Sequence, residues 1–526
     1  MPSDAGNGSI ERVSVSSDGA QADGRSVAVQ ISADGRYVAF VSNASNLVNE
    51  PPEYLCEENI EVHGSEVCRA IYLRDRETNV TERLPLSGSG GDLDADAYLI
   101  AMTPDARYLA FWSSASVLGV EQNPGTKIGL PGVFLFDRET ETSEQVDLDS
   151  TGSPANEWSS SSASLSDDGR FVTLTTRDDL VPEDTNHQAD IYIRDREKMT
   201  TERVSVGLSG GQSTGGVSGG AISGDGSTIA FAGRVSDFLE DVPEHYVENI
   251  IIQDRENGTN SVLALTESDP RIWNPESLSL SIDGSIVTFI ARVPQSGETP
   301  PQMLQYDRDS QTLTLISKNS LGVPADHTGS TALAPSSPAV SSDGTLAVFA
   351  SNATNLVETD ANNCRDIFVH DADTGITRRV NVSSDGTEAD HEARLPAISA
   401  LGNAVAFESG ARNLVPGDTN GQSDIFVVDL TGNGQLSGGA TGQSLSGTPE
   451  APEYCGPPPG DFDCSGEVTP MDALHVLAWF GGVDGFAECI SLANLLHCFG
   501  GIFISDALLI LRYVAGIYDR IGCFAK

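Results

Sequence analysis

The chain has 526 residues, and 76 acidic against 30 basic residues leave it a net charge of −46. So acidic a surface repels phosphate backbones and excludes generic nucleic-acid binding. No apolar run approaches the ~18–20 residues of a membrane span; the most hydrophobic stretch, Ile502–Ile517, is broken by Asp506 and Arg512.

From residue 32 onward one phrase recurs. Ser32-Ala33-Asp34-Gly35 runs into the apolar strand Arg36–Phe40. It returns at Thr103–Phe111, Ser166–Leu174, Ser223–Phe231, Ser281–Phe289, Ser341–Phe349 and Ser399–Phe407. A second strand then ends in Asp at Asp75, Asp137, Asp195, Asp254, Asp307, Asp371 and Asp429. Seven copies at a period of about 60 residues, each with room for four short strands, are the signature of propeller blades. In the third copy the spacing predicts strands A to D at Ala163–Ser166, Phe171–Thr175, Asp190–Arg194 and Thr201–Val206. Asp168-Gly169 serves as the A–B hairpin. The recurrent Asp before the C–D turn is expected to accept a backbone N–H and close that turn, not to act as an acid catalyst.

The seventh copy predicts A, B and C at Pro396–Ser399, Ala404–Glu408 and Asp424–Asp429, but Gly/Ser-rich sequence follows where D belongs. The missing strand stands at the other end of the chain. Arg12–Asp23 and Arg379–Asp390, the latter holding strand D of blade six, agree at nine of twelve positions. The amino terminus is therefore expected to complete blade seven and remove an open sheet edge. Residues 9–430 resemble the TolB-like, WD-related propeller repeats, in which Ser-Pro-Asp-Gly and an apolar strand mark each blade. That resemblance implies a fold and leaves function open, since propellers host enzymes, receptors and scaffolds.

Within the propeller, Asp-x-Asn-x-x-x-Asp recurs between strands B and C. It occurs at Asp184/Asn186/Asp190, Asp360/Asn362/Asp366 and Asp418/Asn420/Asp424. Its oxygens suit calcium, but an Asx-turn would retain the motif for the same reason and is the preferred reading. The D–A connections repeat Ala followed by Asp or Asn, at Asp23, Asp96, Asn156, Asp326 and Asp390. The same loops carry Trp158, Arg271, Trp273, His327, His391 and Arg394, which makes that channel mouth the expected ligand face. Gly207–Gly211 and Gly216–Gly220 match the nucleophile-elbow pattern but neither follows a buried strand nor opens a helix. The eight His form no close metal pair.

A Gly/Ser-rich linker that gains Pro, residues 431–459, precedes the last unit. There Asp461-Phe462-Asp463-Cys464-Ser465-Gly466-Glu467-Val468-Thr469-Pro470-Met471-Asp472 has the register of a twelve-residue calcium loop. Asp461, Asp463 and Ser465 stand at positions one, three and five, the Glu467 carbonyl at seven and Asp472 at twelve. A helix with Ala473, Leu474, Leu477 and Ala478 on one face follows. The unit repeats at an offset of 34 residues, Asp472-Ala473-Leu474 against Asp506-Ala507-Leu508. In the second loop Leu495, His497 and Phe499 replace the three oxygen ligands, so one calcium ion is expected. These paired loop–helix units resemble a dockerin over residues 460–526. The resemblance implies an all-α module and a cohesin-like protein partner recognised at Pro470-Met471 and Ile504-Ser505. These positions lack the hydroxyl pairs typical of cellulosomal members.

Eight cysteines favour an oxidising compartment. Cys56 and Cys68 bracket an insertion in blade one. Cys464 and Cys489 are 25 apart, as are Cys498 and Cys523, which suggests one bridge per repeated unit. Whether Cys364 and Cys455 pair is open from sequence. The start Met1-Pro2-Ser3-Asp4 lacks the basic and apolar segments of a secretion signal; the expectation is an extracellular or cell-surface protein whose leader is missing from this sequence. Two functions fit: a non-catalytic binding or scaffolding propeller anchored through its dockerin, with a polysaccharide or protein ligand, or a carbohydrate-active propeller enzyme delivered the same way.

Overall fold

A computed structural model describes residues 9–49, 68–87, 91–118, 120–123, 126–128, 131–155, 162–239, 249–263, 273–292, 301–326, 336–362 and 364–430. Seven four-stranded antiparallel sheets account for nearly all of these strands. Blade one is typical, with strand A at Ser26–Ile31, B at Tyr37–Ser42, C at Ala70–Asp75 and D at Val80–Arg83. Strand A of each sheet neighbours strand A of the next, and that of blade seven, Ala393–Ile398, neighbours that of blade one. The ring is closed, so the fold is a seven-bladed propeller with the A strands innermost. A separate two-stranded ribbon, Val120–Asn123 with Thr126–Ile128, lies between strands B and C of blade two. No α-helix occurs among the described residues, and none there is long and apolar enough to cross a membrane.

Blade seven is completed by the amino terminus. Ile10, Glu11 and Arg12 pair antiparallel with Val428, Val427 and Phe426 of strand C, Asp424–Asp429. Blade six carries the same edge within its own chain order: Val380 N donates to Ile367 O at 2.9 Å, as Val13 N does to Ile425 O at 2.8 Å. The shared Arg-Val-x-Val segment thus builds the same outer strand twice, once from each end of the ring.

Alternation along strand B sends the recurrent aromatic between blades. Phe40, Phe111, Phe231, Phe289, Phe349 and Phe407 are fully buried, as is Leu174 in blade three. Four of them stack on strand C, Phe40 on Tyr72, Phe111 on Phe134, Phe349 on Phe368 and Phe407 on Phe426, with centroids 5.7–5.9 Å apart. Replacing one such ring by Ala typically costs about 3–5 kcal/mol.

The Ser-x-Asp-Gly phrase closes the A–B turn of blades one, three, four, five and six, with Thr103-Pro104-Asp105-Ala106 in blade two and Ser399-Ala400-Leu401-Gly402 in blade seven. In blade one the Ser32 hydroxyl donates to Asp34 at 2.7 Å and accepts from Tyr37 N at 2.8 Å, and Gly35 takes the positive φ of 76°. These turns also link neighbouring blades, Leu401 N donating to Ala33 O and Ala33 N to Pro104 O. The recurrent Asp caps the C–D turn as expected. Asp75 accepts from Glu77 N at 2.9 Å, and Asp195 from Glu197 N at 3.1 Å. Arg36 grips Asp75 through two nitrogens at 2.9 and 2.6 Å, and Arg107 and Arg170 do the same for Asp137 and Asp195. Those arginines hold the Asp75 and Asp137 carboxyls below the usual carboxylate range, and Asp195 at about 2. Asp429 is held by Arg76 at 2.8 Å.

The A strands differ from expectation. In blade seven strand A starts at Ala393, three residues before Pro396, because a bulge carries the pairing past the regular register. The same irregularity occurs in strand A of blades one, two, four, five and six. Ala28, Ser277 and Leu395 take φ of 49°, 54° and 47° there, a left-handed conformation worth roughly 1–3 kcal/mol of strain for a residue with a Cβ.

Candidate functional site

The D–A and B–C loops emerge together at the start of the A strands, and polar staples fix them. Asp23 accepts from Ser45 N at 2.7 Å and from Ser45 Oγ at 2.6 Å, while its own N–H donates to Asn46 Oδ1 at 3.0 Å. Asp326 repeats this with Thr354 and Asn355, and Asp390 with Arg412 N and Asn413. Asp96 accepts from Arg69 N at 2.8 Å. The recurrent Asp of these connections is therefore a staple between loops.

The three Asp-x-Asn-x-x-x-Asp motifs hold a cation, and it is a guanidinium. Arg379 from strand D of blade six reaches Asp366 at 2.9 Å, Asp360 at 3.7 Å and Glu388 at 2.7 Å. Arg12 reaches Asp418 at 3.2 Å and Asp424 at 3.6 Å, and Arg203 lies 3.8 Å from Asp184. Asn362 and Asn420 donate to Asp366 and Asp424, and Asn186 donates to the Ser213 carbonyl. An arginine from the outer strand thus faces the carboxylates of each motif, where the sequence left calcium and an Asx-turn open. No group of three or more potential metal ligands occurs among the described residues. Burial raises the Asp366 carboxyl while Arg379 pulls it back. Burial lifts Asp190 to about 6, with the Asp184 carboxylate adding to the rise.

Of the expected ligand contacts, Trp158, Arg271 and His327 lie outside the described residues. Trp273 opens strand A of blade five opposite Arg292. His391 is half-exposed with Nδ1 3.2 Å from Asp390. Arg394 pairs with Glu392; burial opposes its charge, and that carboxylate more than compensates. Beside it the structure brings together residues that the sequence did not single out. Glu408, buried at the end of strand B of blade seven, accepts from Arg25 at 3.0 Å and from Ser423 Oγ at 2.9 Å, and pairs across the strands with Arg394. At the equivalent register of blade two, Tyr98 stands opposite Trp112, with ring centroids 5.6 Å apart. Arg69 lies 5.5 Å over the Tyr98 ring and donates to its hydroxyl at 3.2 Å. Tyr98 is 39% exposed, so this aromatic surface is open to a ligand. A carboxylate or two large rings interrupting an otherwise aliphatic strand was the available signal, as in Ala404-Val405-Ala406-Phe407-Glu408.

No family model and no curated protein matches the chain. Solved structures do. An oligogalacturonate lyase in complex with manganese is 14% identical with a TM-score of 0.47, covering 81% of this chain and 95% of that one. The β-propeller domain of the Trilobed protease from Pyrococcus furiosus is 12% identical with a TM-score of 0.45, covering 78% and 96%. TolB from Acinetobacter baumannii is 15% identical with a TM-score of 0.37, covering 70% and 80%. The propeller assignment itself stands on the strand order.

The remaining expected site residues lie outside the described part. They are Asp461, Asp463, Ser465, Glu467 and Asp472 of the calcium loop, Pro470, Met471, Ile504 and Ser505 of the partner surface, and Cys56, Cys464, Cys489, Cys498 and Cys523. Cys68 and Cys364 are described, buried and disulfide-bonded.

Proposed function

We propose that this chain is a non-catalytic binding propeller of an extracytoplasmic, TolB-like kind, whose residues 460–526 form a calcium-dependent dockerin-like anchor for a cohesin-like partner. The observation that carries the binding half is the exposed Tyr98 ring, backed by the partly buried Trp112 and covered by Arg69, at the loop-bearing mouth. Flat, amphipathic rings with an adjoining guanidinium suit stacking against a sugar face and hydrogen bonding to its hydroxyls. Support for a non-hydrolytic role comes from the carboxylates nearby. Glu408 is held by Arg25 and Ser423, and Glu392 by Arg394, whereas glycoside hydrolysis uses two carboxyls ~5–10 Å apart with access to the scissile bond.

The full chain, run through native gels containing a panel of polysaccharides, should be retarded by at least one of them without releasing reducing ends. Tyr98→Ala or Trp112→Ala should weaken that binding roughly five- to tenfold, the worth of about 1 kcal/mol of ring contact. Release of reducing ends would replace this reading with a carbohydrate-active enzyme. Retardation unchanged in both variants would move the ligand elsewhere on the propeller.

A further inference from the structure

Five blades place an arginine directly after the Asp that ends strand C, at Arg76, Arg138, Arg196, Arg255 and Arg308. Each reaches back to its own A–B turn, where Nη1 donates to the carbonyl of Gly35, Ala106, Gly169, Gly226 or Gly284. The rest of the guanidinium faces the preceding blade, which offers it two kinds of partner. Strand D carries a glutamate at one register position: Glu11 opposite Val427, Glu82 opposite Leu73, Glu144 opposite Leu135 and Glu202 opposite Ile193. Arg76, Arg138 and Arg196 pair with the first three of these. The first residue of strand B supplies a ring, Tyr37, Tyr108 or Phe171. Arg138, Arg196 and Arg255 lie 4.8, 4.6 and 4.1 Å from those centroids.

Blade four departs at both positions. Ser261 stands opposite Ile252 where the glutamate belongs, and Thr228 opens strand B where the ring belongs. Arg308 of blade five therefore keeps only Gly284 O at 2.8 Å and Thr228 Oγ1 at 3.3 Å. Its Nε and Nη2 have no partner among the described residues. Asp254, whose counterpart Asp429 grips Arg76 at 2.8 Å, is turned to Asn257 Nδ2 at 2.7 Å. In place of the missing side chains lies a cleft of about 490 Å³ between the two blades, a volume usual for small-molecule sites. Buried Ile252 and Tyr306 and half-buried Val262 give it an apolar lining, and Ser261 and Arg308 a polar one. Asp283 and Asp309 also border it, Asp283 accepting from Ser285 Oγ at 2.8 Å.

We propose that this cleft binds a small organic monocarboxylate, with the carboxylate on Nε and Nη2 of Arg308 and the apolar body against Ile252, Val262 and Tyr306. The chemistry follows from what the other blades place there, a carboxylate on a short stem beside the same guanidinium. The Nε–Nη2 edge offers two parallel N–H donors, the geometry that a carboxylate accepts best. Asp283 and Asp309 disfavour a second negative charge, which separates a monocarboxylate from phosphate. The cleft lies on the face of the A–B and C–D turns, opposite the mouth that carries Tyr98 and Arg69. This inference and the polysaccharide-binding reading therefore stand or fall separately.

Calorimetric titration of the full chain with phenylacetate decides it, with the uncharged phenylacetamide and inorganic phosphate as comparisons. Phenylacetate should occupy one site, and the other two should bind at least about tenfold more weakly, the worth of a charge-assisted contact. Arg308→Gln should weaken phenylacetate by about the same factor. Ser261→Glu returns to blade four the side chain that the other blades carry. It should abolish phenylacetate binding while raising the melting temperature, so that the loss is not one of folding. Absence of phenylacetate binding, equal affinity for phenylacetamide or phosphate, or an affinity unchanged in either variant would overturn the inference.

Discussion

Asp147 shows how one substitution in a repeated network creates a titrating group. In blades three, six and seven, strand C opens with Asp190, Asp366 and Asp424. The outer strand answers with Arg203, Arg379 and Arg12. Between them Ser205, Asn381 and Ser14 each donate to that Asp while accepting a backbone N–H. Blade two has Gly132, Gln145 and Asp147 in the three places. The glycine leaves room for this arrangement, since a Cβ there would lie 2.7 Å from Gln145 Nε2 and 3.2 Å from both Asp147 carboxylate oxygens and would push the Gln145 amide aside. Asp147 accepts from Gln145 Nε2 at 2.8 Å and from the Val133 backbone, no cation pairs with it among the described residues, and burial pushes its carboxyl up to about 7. A raised carboxyl binds its proton more tightly in the folded state. Stability is therefore fully present below about pH 4 and falls as pH rises toward 7, by up to roughly 4 kcal/mol. Asp147→Asn should flatten that slope and melt higher than the parent at pH 8, with little difference at pH 4. Parallel pH profiles of melting temperature for the two proteins would assign the slope to another group.

The amino-terminal strand repeats the same argument for an element. Its three ladder residues are too few to hold alone, and the side chains of the following turn complete the attachment. Arg12 lies between Asp418 and Asp424, Ser14 Oγ donates to Asp424 at 2.6 Å, and Gln21 donates to Asp418 at 2.8 Å. Deleting residues 1–16 should uncover the edge of strand C in blade seven, lower the melting temperature steeply and cause aggregation. Arg12→Ala should cost roughly 3–5 kcal/mol by leaving two buried carboxylates face to face. A melting curve indifferent to both changes would sink the closure. The identity of Arg12–Asp23 with Arg379–Asp390 made this strand legible, because backbone pairing follows local pattern. The arginine between the carboxylates was not legible. Arg379 follows Asp366 by thirteen residues, while Arg12 precedes Asp424 by more than 400, so no fixed spacing marks the partner. The pairing of Glu408 with Arg25 was hidden for the same reason, since they meet only where the ring closes. The A-strand bulges left no pattern either, because Ala28, Ser277 and Leu395 are not residues that announce positive φ.

At the scale of the whole molecule, calcium uptake is expected to distinguish the two halves of the chain. The propeller supplies many carboxylates, yet those with the most ion-like spacing already surround Arg12, Arg203 and Arg379. Displacing a buried guanidinium by Ca²⁺ would leave the arginine unpaired in the interior, a cost of several kcal/mol that a weak oxygen set does not repay. Uptake by the full chain should therefore come from the carboxyl-terminal loop, where Asp461, Asp463, Ser465, the Glu467 carbonyl and Asp472 supply oxygens and water completes the shell. The repeated loop has Leu495 and Phe499 where ligands would stand. Calorimetric titration of the calcium-stripped full chain should give a stoichiometry near one. Asp472→Ala should abolish that binding, and Asp506→Ala should leave it nearly intact. A stoichiometry of three or four that survives Asp472→Ala would show calcium entering the propeller beside its arginines. A value near two that falls to one in Asp506→Ala would show that the second loop binds despite its apolar residues.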